Sequence, residues 1–430
     1  MRYLAPEYVY TVQGWQSNTL IVINDDGVIE ALREQHNPAG SECLEMPGVA
    51  LLPGFVNVHS HVFQRALRGH THRALSQSET FWAWRNAMYR AASQLTPGGL
   101  YELALQTYRE MLAAGYTSVG EFHYVHHQPS GEPYANPNAM AEAILHAGRD
   151  AGIRVVLLLT AYAQGGFNRP LEEGQRRFSD RSVDAYLRRV EDLRSAGFLV
   201  GVAPHSVRAV PPEWFQPIAE YSRNAALPLH VHADEQVAEV EQCQAAYDCA
   251  PIELLERWGA LSPRTTVIHA THASQVELAL LARAGCTVCV CPTTEGDLGD
   301  GIAPYAELLT AGIPLVIGSD SNTRLDPLEE LRWAEYSARM RYQRRRVLVR
   351  DELASPGSLL LDCGTRSGAQ ALGLATGSIE PGRLADFVAI DLSHPMLHGW
   401  NEQDLLDTLF FGCSTSVIKE VWVQGQRMSG

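Results

Sequence analysis

His59 and His61 stand two residues apart, with Ser60 between them, at the end of the apolar run Leu51-Leu52-Pro53-Gly54-Phe55-Val56-Asn57-Val58. In an extended strand, side chains two apart share a face. Both imidazoles therefore point to one place, just where the strand runs out. Neutral imidazole is a ligand for borderline transition metals, so the pair is half of a metal site. Three later stretches end in groups of the same kind. They are Pro228-Leu229-His230-Val231-His232-Ala233-Asp234-Glu235, Val267-Ile268-His269-Ala270-Thr271-His272 and Val316-Ile317-Gly318-Ser319-Asp320. Three imidazoles and one carboxylate suit a single divalent metal, zinc first and iron second.

These groups have to be brought together by strands that end on one side. Eight buried-strand candidates begin near Pro53, Thr117, Ile153, Leu199, Pro228, Thr265, Cys286 and Pro314. Between them lie helical stretches: Gly98–Ala114, Ala139–Ala151, Arg181–Ala196, Pro212–Ala225 and Gln275–Ala284. Small residues such as Ala151-Gly152 and Ala196-Gly197 mark helix ends. Eight strands alternating with helices predict an α/β fold, the (β/α)8 barrel, whose chemistry sits at the C-terminal ends of the strands. The two ends of the chain read differently. Tyr8-Val9-Tyr10, Thr19 to Ile23, the turn Asn24-Asp25-Asp26-Gly27 and Val28 to Ala31 are short strands and a turn, and Asp386 to Ile390 and Val417 to Val423 are strands again. The expectation is a small β-sandwich domain built from residues 1–50 and 376–430 around a barrel over 51–375.

The bulk properties narrow the partners. A net charge of −15 argues against nucleic acid and against an anionic membrane surface. It leaves room for a small anionic ligand held by local arginines. The eight cysteines are scattered, and Cys289 and Cys291 read as small core residues. Lys419 is the only lysine in the chain, which argues against a Schiff-base, P-loop or metal-bridging carbamylated lysine. No secretory leader or membrane span is apparent, and the expectation is a cytoplasmic protein.

The strand-one pattern Pro53-Gly54 to His59-x-His61, the strand-five His232-x-x-Glu235, the strand-six His269 and the strand-eight Asp320 resemble the amidohydrolase superfamily, as does the stretch Gly377 to Asp386. Strand four, Phe198 to His205, lacks the lysine that bridges two metals in some of these families. The resemblance is therefore to the one-metal deaminase branch. It implies His59, His61, His232 and Asp320 as metal ligands, with His269 and Asp320 taking a proton from a metal-activated water and Glu235 protonating the leaving nitrogen. His230 and His272 are rivals for His232 and His269. Asp234 is expected to face away.

Several stretches resemble one family more closely, the N-formimino-L-glutamate deiminases. They are His59 to Ala66, Phe81-Trp82-Ala83-Trp84-Arg85, Glu121 to His127, Ala203 to Val210 and Cys291 to Gly301. The resemblance implies that Gln64, Arg85, Tyr124, His205 and Arg208 hold the substrate, and that the protein is a homodimer. Two arginines match two carboxylates, because guanidinium binds carboxylate in a bidentate fork. A dicarboxylate is thus favoured over a nucleobase or a cyclic guanidine, the substrates of other enzymes in the branch. Trp82 and Trp84 read as packing. A metal-free scaffold protein would have lost ligands that are all present here.

Overall fold

The computed structural model of the chain describes residues 1–34, 43–70, 81–351 and 354–428, without the side chains of 81–83 and 86. Among the described residues, two eight-stranded sheets carry the fold. One is a barrel of parallel strands: Phe55–Ser60, Tyr116–His123, Arg154–Ala161, Val200–Pro204, Leu229–Ala233, Thr265–His269, Thr287–Val290 and Leu315–Ile317. All eight predicted strands are present, in sequence order round the barrel. Their residues are buried on both faces, as Leu157, Leu158 and Leu159 are. This explains why they read as continuous apolar runs and not as alternating ones. The barrel closes at the metal-ligand candidates themselves. Ser60 bridges Asp320, the His61 amide donates to the Asp320 carbonyl at 2.9 Å, and the Asp320 amide donates to the His59 carbonyl at 2.9 Å.

The helices start and stop where their caps dictate. Pro97–Ala113 is capped by Thr96, whose hydroxyl accepts from the Gly99 amide. Ala139–Ala151 ends at Gly152, in a left-handed conformation at φ 89°. The stretch expected from Arg181 becomes helical only at Val183, because Ser182 is the cap and accepts from the Ala185 amide. Pro212–Ala225 and Gln275–Ala284 have the expected bounds.

The second sheet is the small β domain, built from both ends of the chain. Its seam is the strand Cys43–Pro53, parallel to Arg2–Thr11 on one side and antiparallel to Phe387–Asp391 on the other. The apolar run from Leu51 to Val58 is therefore two strands and not one. Leu51, Leu52 and Pro53 pair with Phe387 to Ala389, while Phe55 pairs with Tyr116 of the barrel. Gly54 is the break. A β-carbon there would lie 2.3 Å from the Thr117 hydroxyl, so only glycine permits the strand to change sheets so close to the barrel. Asp386 ties the two parts together. Its buried carboxylate accepts from the Arg154 guanidinium, from the Thr376 hydroxyl at 2.7 Å and from the Gln424 amide at 2.7 Å. Among the described residues no helix is long and apolar enough to cross a membrane.

Candidate metal centre and active site

The ends of strands one, five and eight bring His59, His61, His232 and Asp320 together, with ligand atoms all within 4.8 Å of one another. The hydrogen bonds behind the rings fix how they point. His61 Nδ1 lies 2.8 Å from the Phe122 carbonyl, and His232 Nδ1 lies 3.0 Å from the His205 carbonyl. A carbonyl only accepts, so both Nδ1 atoms carry the proton and both Nε2 atoms present bare lone pairs. Those lone pairs meet other acceptors. His232 Nε2 is 3.1 Å from His59 Nε2, and His61 Nε2 is 3.3 Å from Asp320 Oδ1. At most one proton, on His59, is available to this inward-facing set. Burial pushes the His59 imidazole down to about 3, and it lowers His61 and His232 as well. Neutral buried nitrogens facing a carboxylate form a cradle that a cation satisfies. The donor set, three imidazoles and a carboxylate, fits a divalent transition metal.

The rival histidines turn elsewhere. His230, two residues earlier on its strand, bonds to the Ala371 carbonyl at 3.2 Å, and burial lowers it to about 4. His272 bonds to the Asp300 carbonyl at 2.8 Å. His269 instead faces the cluster, with Nε2 at 3.9 Å from both Asp320 and Glu235. Burial disfavours a charge on His269, but Glu235, the bond to Glu295 and Asp320 outweigh it and hold the imidazole well above its ordinary value. For Asp320, burial acts upward, and the hydrogen bond and charge of His59, with His61 and His269, hold it down. Glu235 is raised, chiefly by burial, against the pull of His269 and Arg208. Asp234, beside it in sequence, lies outside the cavity lining. It is buried near Glu277 and Glu239, and burial followed by their charges raises its carboxyl well above the usual range. The backbone is left-handed at Asp234 (φ 56°), His269 (φ 75°) and Asp320 (φ 45°). Such non-glycine conformations cost about 1–3 kcal/mol each and persist where surrounding contacts over-determine them.

Gln64, Arg85, Tyr124, His205 and Arg208 line the same cavity as His61, His232, Glu235, His269 and Asp320. Beyond Arg85, Tyr162 and Arg208 it adjoins an outer chamber of about 440 Å³. Gln64 donates to the Tyr124 hydroxyl at 3.0 Å and leaves its own carbonyl oxygen buried without a partner among the described residues. Arg208 donates to Glu239 at 3.2 Å and lies 3.9 Å from Glu235. Arg85 pairs with Glu172 at 3.6 Å and sits over the Tyr89 ring. Trp84 does line the cavity. The Trp82 side chain lies outside the described residues.

The amidohydrolase family matches residues 50–428 of this chain. The chain belongs to the amidohydrolase family. It is 41% identical, over 96% of its length and 91% of the relative's, to the formimidoylglutamate deiminase of Pseudomonas aeruginosa. It is 28% identical, over 98% of its length and 91% of the relative's, to the 8-oxoguanine deaminase of the same organism. The crystal structure of an amidohydrolase from Brucella melitensis superposes with a TM-score of 0.91 at 36% identity, covering 99% of this chain and 94% of that one.

Several residues of this amidohydrolase site went unread in the sequence. Glu121 accepts from the Ser60 hydroxyl at 2.8 Å and from the Val62 amide at 2.6 Å, holding the turn that carries both strand-one histidines. Glu239 and Glu172 hold the two arginines, and Tyr162 stands between the cavities. Glu239 stands four residues after Glu235 at the start of the helix Val237–Tyr247, and Glu121 opens a stretch whose resemblance was noted without a role for it. Gly318 supports the cluster from behind, since a β-carbon there would sit 2.7 Å from His59 Cβ. Gly318→Ala should therefore cost about 1–3 kcal/mol through overpacking. Thermal unfolding should show the loss, and metal analysis should show weaker retention because His59 is displaced.

Proposed function

We propose that this protein hydrolyses N-formimino-L-glutamate to N-formyl-L-glutamate and ammonia, a step of histidine degradation. One observation carries the substrate reading. A single cavity brings His61, His232 and Asp320 of the cradle, which the fully buried His59 completes, together with Glu235, His269 and two arginines, Arg85 and Arg208. The 41% identity to a formimidoylglutamate deiminase over nearly the whole chain supports the same reading.

His59, His61, His232 and Asp320 would hold one divalent metal, zinc by their chemistry. Such an ion supplies Lewis-acid chemistry and brings the pKa of a water it carries to about 7. The chain's own groups do the rest. Arg85 and Arg208 grip the two carboxylates, and Gln64, Tyr124 and His205 supply polar contacts along the substrate. Tyr124 keeps its phenol proton as a donor, because burial raises it well above its ordinary value. His269, with Asp320, takes the proton released as water adds to the formimino carbon. Glu235 holds a proton and passes it to the departing nitrogen, so that water adds, the carbon–nitrogen bond breaks and ammonia leaves. The setting we propose is cytoplasmic, in keeping with eight cysteines that are all free. The assembly we propose is a homodimer, for which light scattering should return twice the chain mass.

The test is ammonia release by zinc-loaded protein from N-formimino-L-glutamate, with N-formimino-L-aspartate, cytosine and guanine alongside. Fast release from the glutamate derivative alone is expected. Release from a heterocycle and none from the glutamate derivative would sink the substrate.

A further inference from the structure

We infer that Glu295 is a positioning residue for the reaction, acting through His269. It sits in the first turn of the short helix Pro292–Leu298 and is almost fully buried. One of its carboxylate oxygens does two things. It accepts from the Cys291 amide at 2.8 Å and lies 3.3 Å from His269 Nδ1. The helix that carries it is clamped. The Thr294 hydroxyl donates to the Ser319 carbonyl at 3.2 Å, and the Thr293 amide donates to Glu330 at 3.1 Å. Glu295 does not line the substrate cavity, so any influence on turnover passes through the imidazole.

A carboxylate beside a ring nitrogen accepts and does not donate. In the neutral, proton-accepting form of His269, Nδ1 therefore carries the hydrogen and the Nε2 lone pair faces Glu235 and Asp320. With the acceptor removed, the neutral ring is free to adopt the other tautomer or to rotate about its two-fold terminal torsion. In either case the lone pair no longer addresses the proton it is to take. The left-handed backbone at His269, φ 75°, gives the side chain its direction into the site, and Glu295 then fixes which nitrogen is presented. Partners that orient a metal-ligating imidazole are worth roughly 10–100-fold in function when removed, and the same order is expected for His269 beside the cradle.

Glu295→Leu, close in length and without an acceptor, should lower kcat by about 10²-fold at this kind of position, with KM and bound metal unchanged. Glu295→Gln keeps an oxygen that accepts from both N–H groups and should retain most of the rate lost in Glu295→Leu. The decisive readout is a double-mutant cycle. In a His269→Asn background, Glu295→Leu should lower kcat no further, because the group it orients has gone. Circular dichroism and thermal unfolding verify the fold, and if Glu295→Leu does not fold the cycle is run with Glu295→Gln, for which a smaller kcat loss absent from the His269→Asn background is expected. Unchanged kcat, a loss confined to KM, loss of metal, or additivity with His269→Asn would each overturn the inference. It rests on His269 being a proton acceptor. Normal turnover by His269→Asn would remove that reading itself, whereas an inactive His269→Asn beside a fully active Glu295 variant would remove only the present inference.

Discussion

Glu235→Gln should lower kcat by about 10³-fold, within the 10²–10⁴ range of a positioned proton donor. That corresponds to about 4 kcal/mol in the barrel's transition-state stabilisation. The substitution changes shape little but removes the carboxylic acid on the strand-five side, whose oxygen lies 3.9 Å from His269 Nε2. Burial keeps the Glu235 carboxyl above its ordinary value, which favours holding a proton until the nitrogen departs. An amide has no proton of comparable acidity to give. The metal cradle should survive, because Glu235 is not among its four residues. The measurement is kcat together with bound metal per chain. Near-normal kcat would remove Glu235 from proton transfer, and loss of metal would mean that it serves the cradle. His269→Asn should behave alike, since it also leaves all four cradle residues in place.

The barrel was legible because its strands are buried on both sides and its helices carry local caps. Both are properties of short windows of sequence. The cradle was legible for a related reason: the ends of barrel strands converge, so three short motifs announce one place. What could not be read is whatever depends on a path through space. His230 and His232 sit on one face of one strand, as alternation requires, and only the Ala371 carbonyl on one side and the cradle on the other separate their roles. The run from Leu51 to Val58 has the composition of one strand, and only the pairing partners reveal that it serves two sheets. Glu172 reaches Arg85 from another part of the chain, 87 residues away by the numbering of the pair, and nothing local marks either residue for the other. Glu295 lay inside a stretch whose resemblance was noted, yet its task exists only because the helix after strand seven lies against the end of strand six. The cradle side chains thus leave a local mark, and the side chains packed behind them mostly do not.

Arg208→Ala should lower kcat/KM by 10²–10³-fold or more, mostly through KM, in line with the roughly 2–5 kcal/mol cost of truncating one partner of a buried charge pair. Arg208 is nearly enclosed, and it lies against both Glu239 and Glu235. Its loss would take from the substrate the bidentate grip proposed above, and it leaves two buried carboxylates without their cation. Arg208→Lys keeps the charge but not the fork, so it should recover only part of the loss. Arg85→Ala should be milder, because its partner Glu172 is largely exposed and water can replace the contact. Two analogues then separate the arginines. The N-formimino derivative of γ-aminobutyrate lacks the α-carboxylate, and N-formimino-L-glutamine masks the distal one. Each arginine's variant should lose its penalty on the analogue that lacks the carboxylate it holds, and the two should respond to different analogues. If both penalties persist on both analogues, the arginines do not bind the substrate's carboxylates and act instead on the carboxylates of the protein itself.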